Sequence, residues 1–319
     1  MARKNARVVN GILLLDKPLE VSSNGILQRV RWLYQAQKAG HTGALDPMAS
    51  GLLPICFGEA TKFSQFLLDT DKTYFVSAAF GVRTTTSDSE GEVISEKPVN
   101  FNLHDLEQAM QAFRGDIMQV PTMFSALKYQ GQPLYRYARQ GIEVPREARP
   151  ISIFRFELLA LHGSSADFIV HCSKGTYIRT LIDDLGEALG CGAHVAKLHR
   201  TQVGPFHAKQ MITPEQLDAL AEPCHQTGDF LAMDNLLLPM DAGIVSMPKL
   251  QLSAAQQHRL QHGQSCELAV EDVTVIKLHG PDDSFFGIGQ IEQGVLSSRR
   301  LLNTVSVNSS SQSSNAAKL

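Results

Sequence analysis

Residues 40–51, GHTGALDPMASG, constrain this chain more than any other stretch. Gly40, Gly43 and Gly51 open backbone conformations closed to other residues, so the segment reads as a shaped loop. Pro47 fixes its own φ and biases Asp46 toward an extended conformation, which aims the carboxylate. A constrained loop that presents Asp46 beside His41 is a candidate reaction site. An Asp-Pro pair also starts ordinary turns, and the loop alone does not decide between the two readings.

Periodicity places that loop among regular elements. Ser23 or Asn24 can cap a helix with Ile26, Leu27, Val30, Leu33 and Tyr34 on one face. Residues 72–80 alternate as a strand, with Tyr74, Val76, Ala78 and Phe80 on one side. Residues 82–91, rich in Thr, Ser and Asp, read as a polar loop. Asn102 opens a helix whose inward residues are Leu103, Leu106, Ala109, Met110 and Phe113, and Gly115 ends it. Phe168, Val170 and Cys172 mark another strand. After Lys174 and Gly175 a helix carries the stripe Ile178, Leu181, Ile182, Leu185 and Leu189, with Arg179 off its centre near the start. Residues 239–248 look like a connector. A second, β-rich domain is expected over 248–302, with strand-like runs at 273–278 and 285–291. Residues 303–319 are too polar to bury a core and are expected to be disordered.

Composition narrows the function classes. The 319 residues are enough for one large domain and a smaller one. No apolar run approaches the roughly 20 residues of a membrane span, and Ile12 to Leu15 is too short for a signal-peptide core. Five scattered cysteines without a CxxC pair favour free thiols in a reducing cytoplasm over disulfides or zinc. His194 and His199 do not have the spacing of an HExxH metal site. There is no GxxxxGK[ST], and Gly287-Ile288-Gly289 has no third glycine in register, so metal-dependent hydrolysis and nucleotide binding are poorly supported. The net charge of −3 hides a local excess: 125–156 holds Lys128, Arg136, Arg139, Arg146, Arg149 and Arg155 against Glu143 and Glu147. Tyr129, Tyr135, Tyr137, Phe154 and Phe156 are interleaved with these cations. Such a segment can neutralise phosphates and stack on unpaired bases, or it can be a solvated face over buried aromatics. The basic start, Arg3, Lys4 and Arg7, could add contacts.

Several motifs in order carry a resemblance. Leu15-Asp16-Lys17-Pro18 with Ser22-Ser23, the loop at 40–51, and Gly58-Glu59-Ala60-Thr61-Lys62 come first. Lys72-Thr73-Tyr74, Gly175-Thr176-Tyr177-Ile178-Arg179, and Leu198 with Arg200, Gly204 and Phe206 follow. Together they resemble the TruB family of pseudouridine synthases, which convert uridine 55 in the T loop of tRNA. Glu20 departs from the family's first motif, which usually has glycine there.

That resemblance implies an α+β fold: a pseudouridine-synthase domain over 1–247, with a central, largely antiparallel sheet flanked by helices. It also implies an RNA-gripping insertion at about 122–150 and a small PUA-like RNA-binding domain at 248–302. Asp46 would be the catalytic acid residue and Arg179 its partner. Tyr74 would stack on the extracted base and serve late proton removal. His41, Tyr177 and Leu198 would hold or line the flipped nucleotide, Lys17 would brace the loop, and Lys62 would touch RNA backbone. The expected partner is the tRNA T arm, with no cofactor or metal, acting as a monomer. A tRNA-binding or tRNA-folding protein without catalysis would need the same basic region but not the pairing of Asp46 with Arg179.

Overall fold

The computed structural model describes residues 6–303. Arg3, Lys4 and the tail from 304 onward lie outside the described residues. Backbone contacts divide the chain into two units, Met1–Val245 and Ser246–Leu319.

In the first unit, strand β1 (Gly11–Lys17), helix α1 (Ser23–Leu33), β2 (Ala39–His41) and β3 (Ala49–Phe57) come first. Helix α2 (Ser64–Leu68), β4 (Lys72–Phe80), the β5 (Val82–Thr84) and β6 (Val93–Glu96) hairpin, α3 (Leu103–Gln111) and β7 (Gly115–Gln119) follow. A small hairpin of β8 (Lys128–Tyr129) and β9 (Gln132–Pro133) leads to α4 (Leu134–Ala138). Then come β10 (Arg149–His162), β11 (Ser165–Cys172), α5 (Ile178–Ala188), β12 (Ala193–Val203) and β13 (Phe206–His207). Helices α6 (Pro214–Thr227) and α7 (Leu231–Asp234) complete the set.

The main sheet runs β1-β3-β12-β4-β11-β10-β7, with β2 added beside β3 and β13 beside β12. Every pairing is antiparallel except β3 with β12. The fold is therefore the expected mixed α+β, largely antiparallel arrangement. One face of the sheet packs against α3 and α5 through Leu106, Met110, Leu181, Ile182 and Leu185. Leu45 and Met48, from the loop between β2 and β3, join that same core. A second core sets α1, α6 and α7 against β1 and β3.

Three local expectations change. Ser22, not Ser23 or Asn24, caps α1, and its side chain accepts from the Gly25 amide. Ser23 becomes the first helical residue and turns inward. Residues 82–91 are not simply a polar loop: they contain β5 and a turn that buries Asp88. Leu103 is exposed, because the capping box of Asn102 and Asp105 sets the first turn of α3 with Leu103 on its outer side.

The second unit contains β14 (Lys249–Gln251), α8 (Ala254–Gln261), β15 (Cys266–Glu267), β16 (Val273–His279), β17 (Phe285–Glu292) and β18 (Val295–Leu301). Its sheet order is β14-β16-β17-β18-β15, built over a core of Leu252, Leu260, Ile276, Leu278, Ile291 and Leu296. All five cysteines of the chain are free and buried.

Candidate active site

Three side chains fix the Asp46 loop, two from the first motif and one from the last. The Ser23 hydroxyl accepts from the Leu45 amide at 2.7 Å and lies 2.9 Å from the Leu45 carbonyl, so it donates back to the same residue. Lys17 is fully buried and donates its ammonium to the carbonyls of Pro18 and Ala49, each at 2.7 Å. Burial lowers its pKa to about 8, against the attraction of Asp46. Arg200, also fully buried, donates from Nε to Leu52 O at 2.8 Å and from Nη2 to Gly43 O at 3.0 Å. The chain can approach Arg200 this closely because of Gly51. A Cβ at Gly51 would lie 2.4 Å from the Arg200 carbonyl oxygen, and its φ of +101° suits only glycine.

The first motif adds a fourth tie at Glu20, through its backbone. Glu20 adopts φ +64°, in the left-handed region, and its amide donates to Pro47 O at 2.9 Å. The glycine usual at this position is explained by that conformation. Glu20 adopts it at a cost of about 1–2 kcal/mol, and the turn is kept.

Asp46 faces Arg179. The Arg179 Nη2 lies 2.9 Å from Asp46 Oδ2, and Nη1 lies 3.2 Å from Oδ2 of Asp88. The guanidinium also donates to Thr86 O at 3.0 Å and Phe124 O at 2.8 Å. Thus Arg179, at the N-terminal end of α5, is buried although it sits off that helix's apolar stripe. The Asp46 side chain keeps 42% of its surface open, but it is open to a cleft walled by protein. Its carboxyl pKa is accordingly pushed up by desolvation, with Arg179 pulling the other way and Asp88 adding to the rise. A partly dehydrated carboxylate held in one direction by a guanidinium is suited to attack carbon or to take a proton.

The cleft has a volume of about 690 Å³, within the range of small-ligand sites. Tyr74 of β4, Leu198 of β12 and Tyr177 at the start of α5 line it with Asp46 and Arg179. Burial raises the pKa of the Tyr74 phenol, while Arg200 acts in the opposite direction. Tyr177 is fixed through its backbone: its amide donates to Gln119 Oε1 at 2.8 Å, and the Gln119 amide nitrogen donates to Tyr177 O at 3.1 Å. Phe124, Tyr135 and Arg139 bring the 122–150 segment to the rim.

Five of the eight site residues read from the sequence therefore meet in one cleft: Asp46, Tyr74, Tyr177, Arg179 and Leu198. Lys17 sits behind the loop. His41 ends β2 and Lys62 pairs with Glu59 at 2.7 Å; neither belongs to the cleft wall. The His41 pKa is lowered by burial and by Arg200, and its buried Nδ1 has no partner among the described residues. The basic segment is less free than its composition implies. Arg146 pairs with Glu143 and Arg155 with Glu157, Phe156 packs against Phe168 in the core, and Tyr129 packs edge-on against Tyr137. Lys128, Arg136, Arg139 and Arg149 make no ion pair among the described residues.

Sequence reasoning missed Asp88 as a member of the site, and gave Arg200 only as part of a motif. An acid within a Thr- and Ser-rich run carries no periodic signal, and only the fold shows that it meets Arg179. Among the described residues no group of His, Cys, Asp and Glu comes together as a metal-ligand set, and no helix is long and apolar enough to cross a membrane.

Family models match the chain along most of its length: TruB family pseudouridylate synthase (N terminal domain) at 31–178, tRNA pseudouridylate synthase B C-terminal domain at 179–245, and Pseudouridine synthase II TruB, C-terminal, at 248–302. They define the class as pseudouridine synthase. The fold is shared with a chain of a Cbf5-Nop10-Gar1 complex, at TM-score 0.72 and 23% identity over 92% of this chain and 85% of that one. Curated relatives are nearer. The tRNA pseudouridine synthase B of Psychromonas ingrahamii is 52% identical over 95% of this chain and 100% of its own length. That of Vibrio cholerae is 52% identical over 94% of this chain and 98% of its own. The chain belongs to the TruB family of pseudouridine synthases.

Proposed function

We propose that this chain isomerises uridine to pseudouridine in tRNA, at position 55 of the T loop, acting as a cytoplasmic monomer. The observation that carries the reading is Asp46, held 2.9 Å from Arg179 in a cleft that Tyr74 and Leu198 also line. The reaction breaks the bond from N1 to C1′ of the sugar, turns the base, and joins C5 to C1′. The proton leaves C5 and N1 gains one, so substrate and product have the same formula. No electrons change hands, and no co-substrate is consumed.

Each residue has a part in that sequence. The ionised Asp46 acts first, as nucleophile or base beside the glycosidic bond, and Arg179 keeps it charged and aimed. Tyr74 and Leu198 sandwich the detached base while it turns, and Tyr177 closes the end of the pocket. The Tyr74 oxygen takes the proton from C5. A T-loop uridine is stacked in the folded RNA, so it must be flipped out at a cost of a few kcal/mol. His41 fills or holds the vacated position, and Lys62 meets the RNA backbone. The first unit, to about 247, carries the chemistry. Its 122–150 segment grips the T arm through Arg136, Arg139 and Arg149, and a PUA-like domain at 248–302 adds RNA contacts.

Mapping pseudouridine in a tRNA transcript treated with the protein tests this reading. The expected result is one modified site, at uridine 55, lost when that nucleotide is cytidine. Modification at a different uridine would refute the assigned position, and none at all would leave a tRNA-binding protein.

A further inference from the structure

We propose that Arg200 is a positioning residue for Tyr74: a buried cation that orients the phenol in the cleft and favours the anionic oxygen able to accept a proton. The proposal rests on the reading of the cleft as a uridine site, and it adds a residue to which that reading assigns no part in the chemistry.

The geometry comes from sheet register. Arg200 of β12 stands directly opposite Tyr74 of the antiparallel strand β4, so both side chains leave the sheet on the same face. Both line the cleft. Across this strand pair the Arg200 charge faces the Tyr74 phenol and favours its anionic form, while Nε and Nη2 are taken by the carbonyls of Leu52 and Gly43. The guanidinium is therefore fixed at two points, one of them in the loop that carries Asp46. Its relative exposure is 1%, and among the described residues no carboxylate pairs with it.

An isolated buried charge is costly, and two neutral acceptors do not cancel it. Replacing the side chain with an apolar one of similar size would relieve that cost, so packing alone does not account for arginine here. What a lone buried cation supplies is a positive field at the cleft floor. It acts against the burial that makes the Tyr74 phenol a reluctant acid, and it also disfavours the charged forms of Lys17, Lys72 and His41. The chemistry is balanced simply. The phenol loses its proton to solvent, and the phenolate then takes the C5 proton. The C5–H bonding pair returns to the ring, and Tyr74 ends as the neutral phenol.

The test replaces Tyr74 with 3,5-difluorotyrosine, a more acidic phenol with a fluorine signal. Its titration is followed by fluorine NMR in the otherwise native chain, in Arg200→Gln and in Arg200→Lys. The glutamine keeps a hydrogen-bond donor without the charge; the lysine keeps the charge. The proposal expects the midpoint in Arg200→Gln to rise by at least about 1 pH unit, and in Arg200→Lys to stay near the native value. With ordinary Tyr74, Arg200→Gln should lower kcat by about 10²-fold while KM for tRNA stays within about threefold. Difluorotyrosine at position 74 should recover most of that loss. An unchanged midpoint in Arg200→Gln overturns the proposal, as does a loss confined to KM. Should Arg200→Gln fail to fold, Arg200→Lys decides: a midpoint at least about 1 pH unit above the native value contradicts a role for the charge. The titration needs no substrate. An inactive native protein would therefore count against the uridine reading, not against the Arg200–Tyr74 coupling.

Discussion

At Asp46, desolvation and Arg179 pull in opposite directions, and desolvation wins. Folding therefore raises the affinity of this carboxyl for a proton. The stability it lends is full below its unfolded pKa, near 3.8, and is lost as pH rises through the higher folded value. At neutral pH the ionised Asp46 is a net cost to the fold, a cost in keeping with the catalytic role proposed for it. Asp46→Asn should then melt at a higher temperature than the native chain at pH 7, and the gap should close as pH falls toward 4. Calorimetry across that range checks it; an Asn variant less stable at pH 7 would reverse the sign. Glu20 gives a second, independent case. Glu20→Gly should relieve the left-handed strain, less the backbone entropy glycine loses on folding, for a net gain of about 0.5–1 kcal/mol. The melting temperature reads this directly, and synthase activity should hardly change, since Glu20 holds Pro47 through its amide alone.

At the scale of elements, the loop between β2 and β3 is rigid because other elements hold it. Ser23 opens α1, Lys17 ends β1, and Arg200 lies within β12, yet all three reach the same dozen or so residues. At Gly51, β3 lies tight against the backbone of β12 at Arg200. Gly51→Ala would drive its Cβ into the Arg200 carbonyl and should destabilise the chain by at least about 3 kcal/mol. Denaturant unfolding would show this; a near-neutral change would mean that the two strands can separate there without consequence.

The elements themselves were largely legible. The alternation over β4 and the apolar stripe of α5 predict those elements with small shifts at their ends, because both bury one face and their periods are regular. Arg179 near the start of α5 and Asp46 ahead of Pro47 could be named from motif resemblance. Asp88 beside Arg179, and Arg200 opposite Tyr74, could not. Asp88 sits in a turn that meets helix α5, and Arg200 on a strand paired with β4; both partners are distant in the chain, and a lone charged residue in a polar run or a strand carries no pattern that reports its partner. Leu103 was misread for a related reason: a capping box sets the phase of the first turn, and the stripe that follows does not.

For the whole molecule, net charge says little about its partner. The chain carries −3 overall, yet among the described residues Lys128, Arg136, Arg139 and Arg149 make no ion pair, and their segment, 122–150, reaches the cleft rim through Phe124, Tyr135 and Arg139. Arg136→Ala with Arg139→Ala should weaken tRNA binding by about tenfold at 0.1 M salt and flatten the slope of log K against log salt by roughly 1–2. The single-turnover rate at saturating enzyme should be nearly unaffected. A rate loss with unchanged binding would put these arginines in the chemistry instead of the grip.

The measurement that bears most directly on the central claim is tritium release from tRNA labelled at uridine C5, with binding of the same RNA followed in parallel. The native chain should release tritium. Asp46→Asn should bind with similar affinity and release it at least about 10³-fold more slowly. Release by Asp46→Asn at the native rate, or tight binding without release by either protein, would contradict a uridine isomerase that works through Asp46.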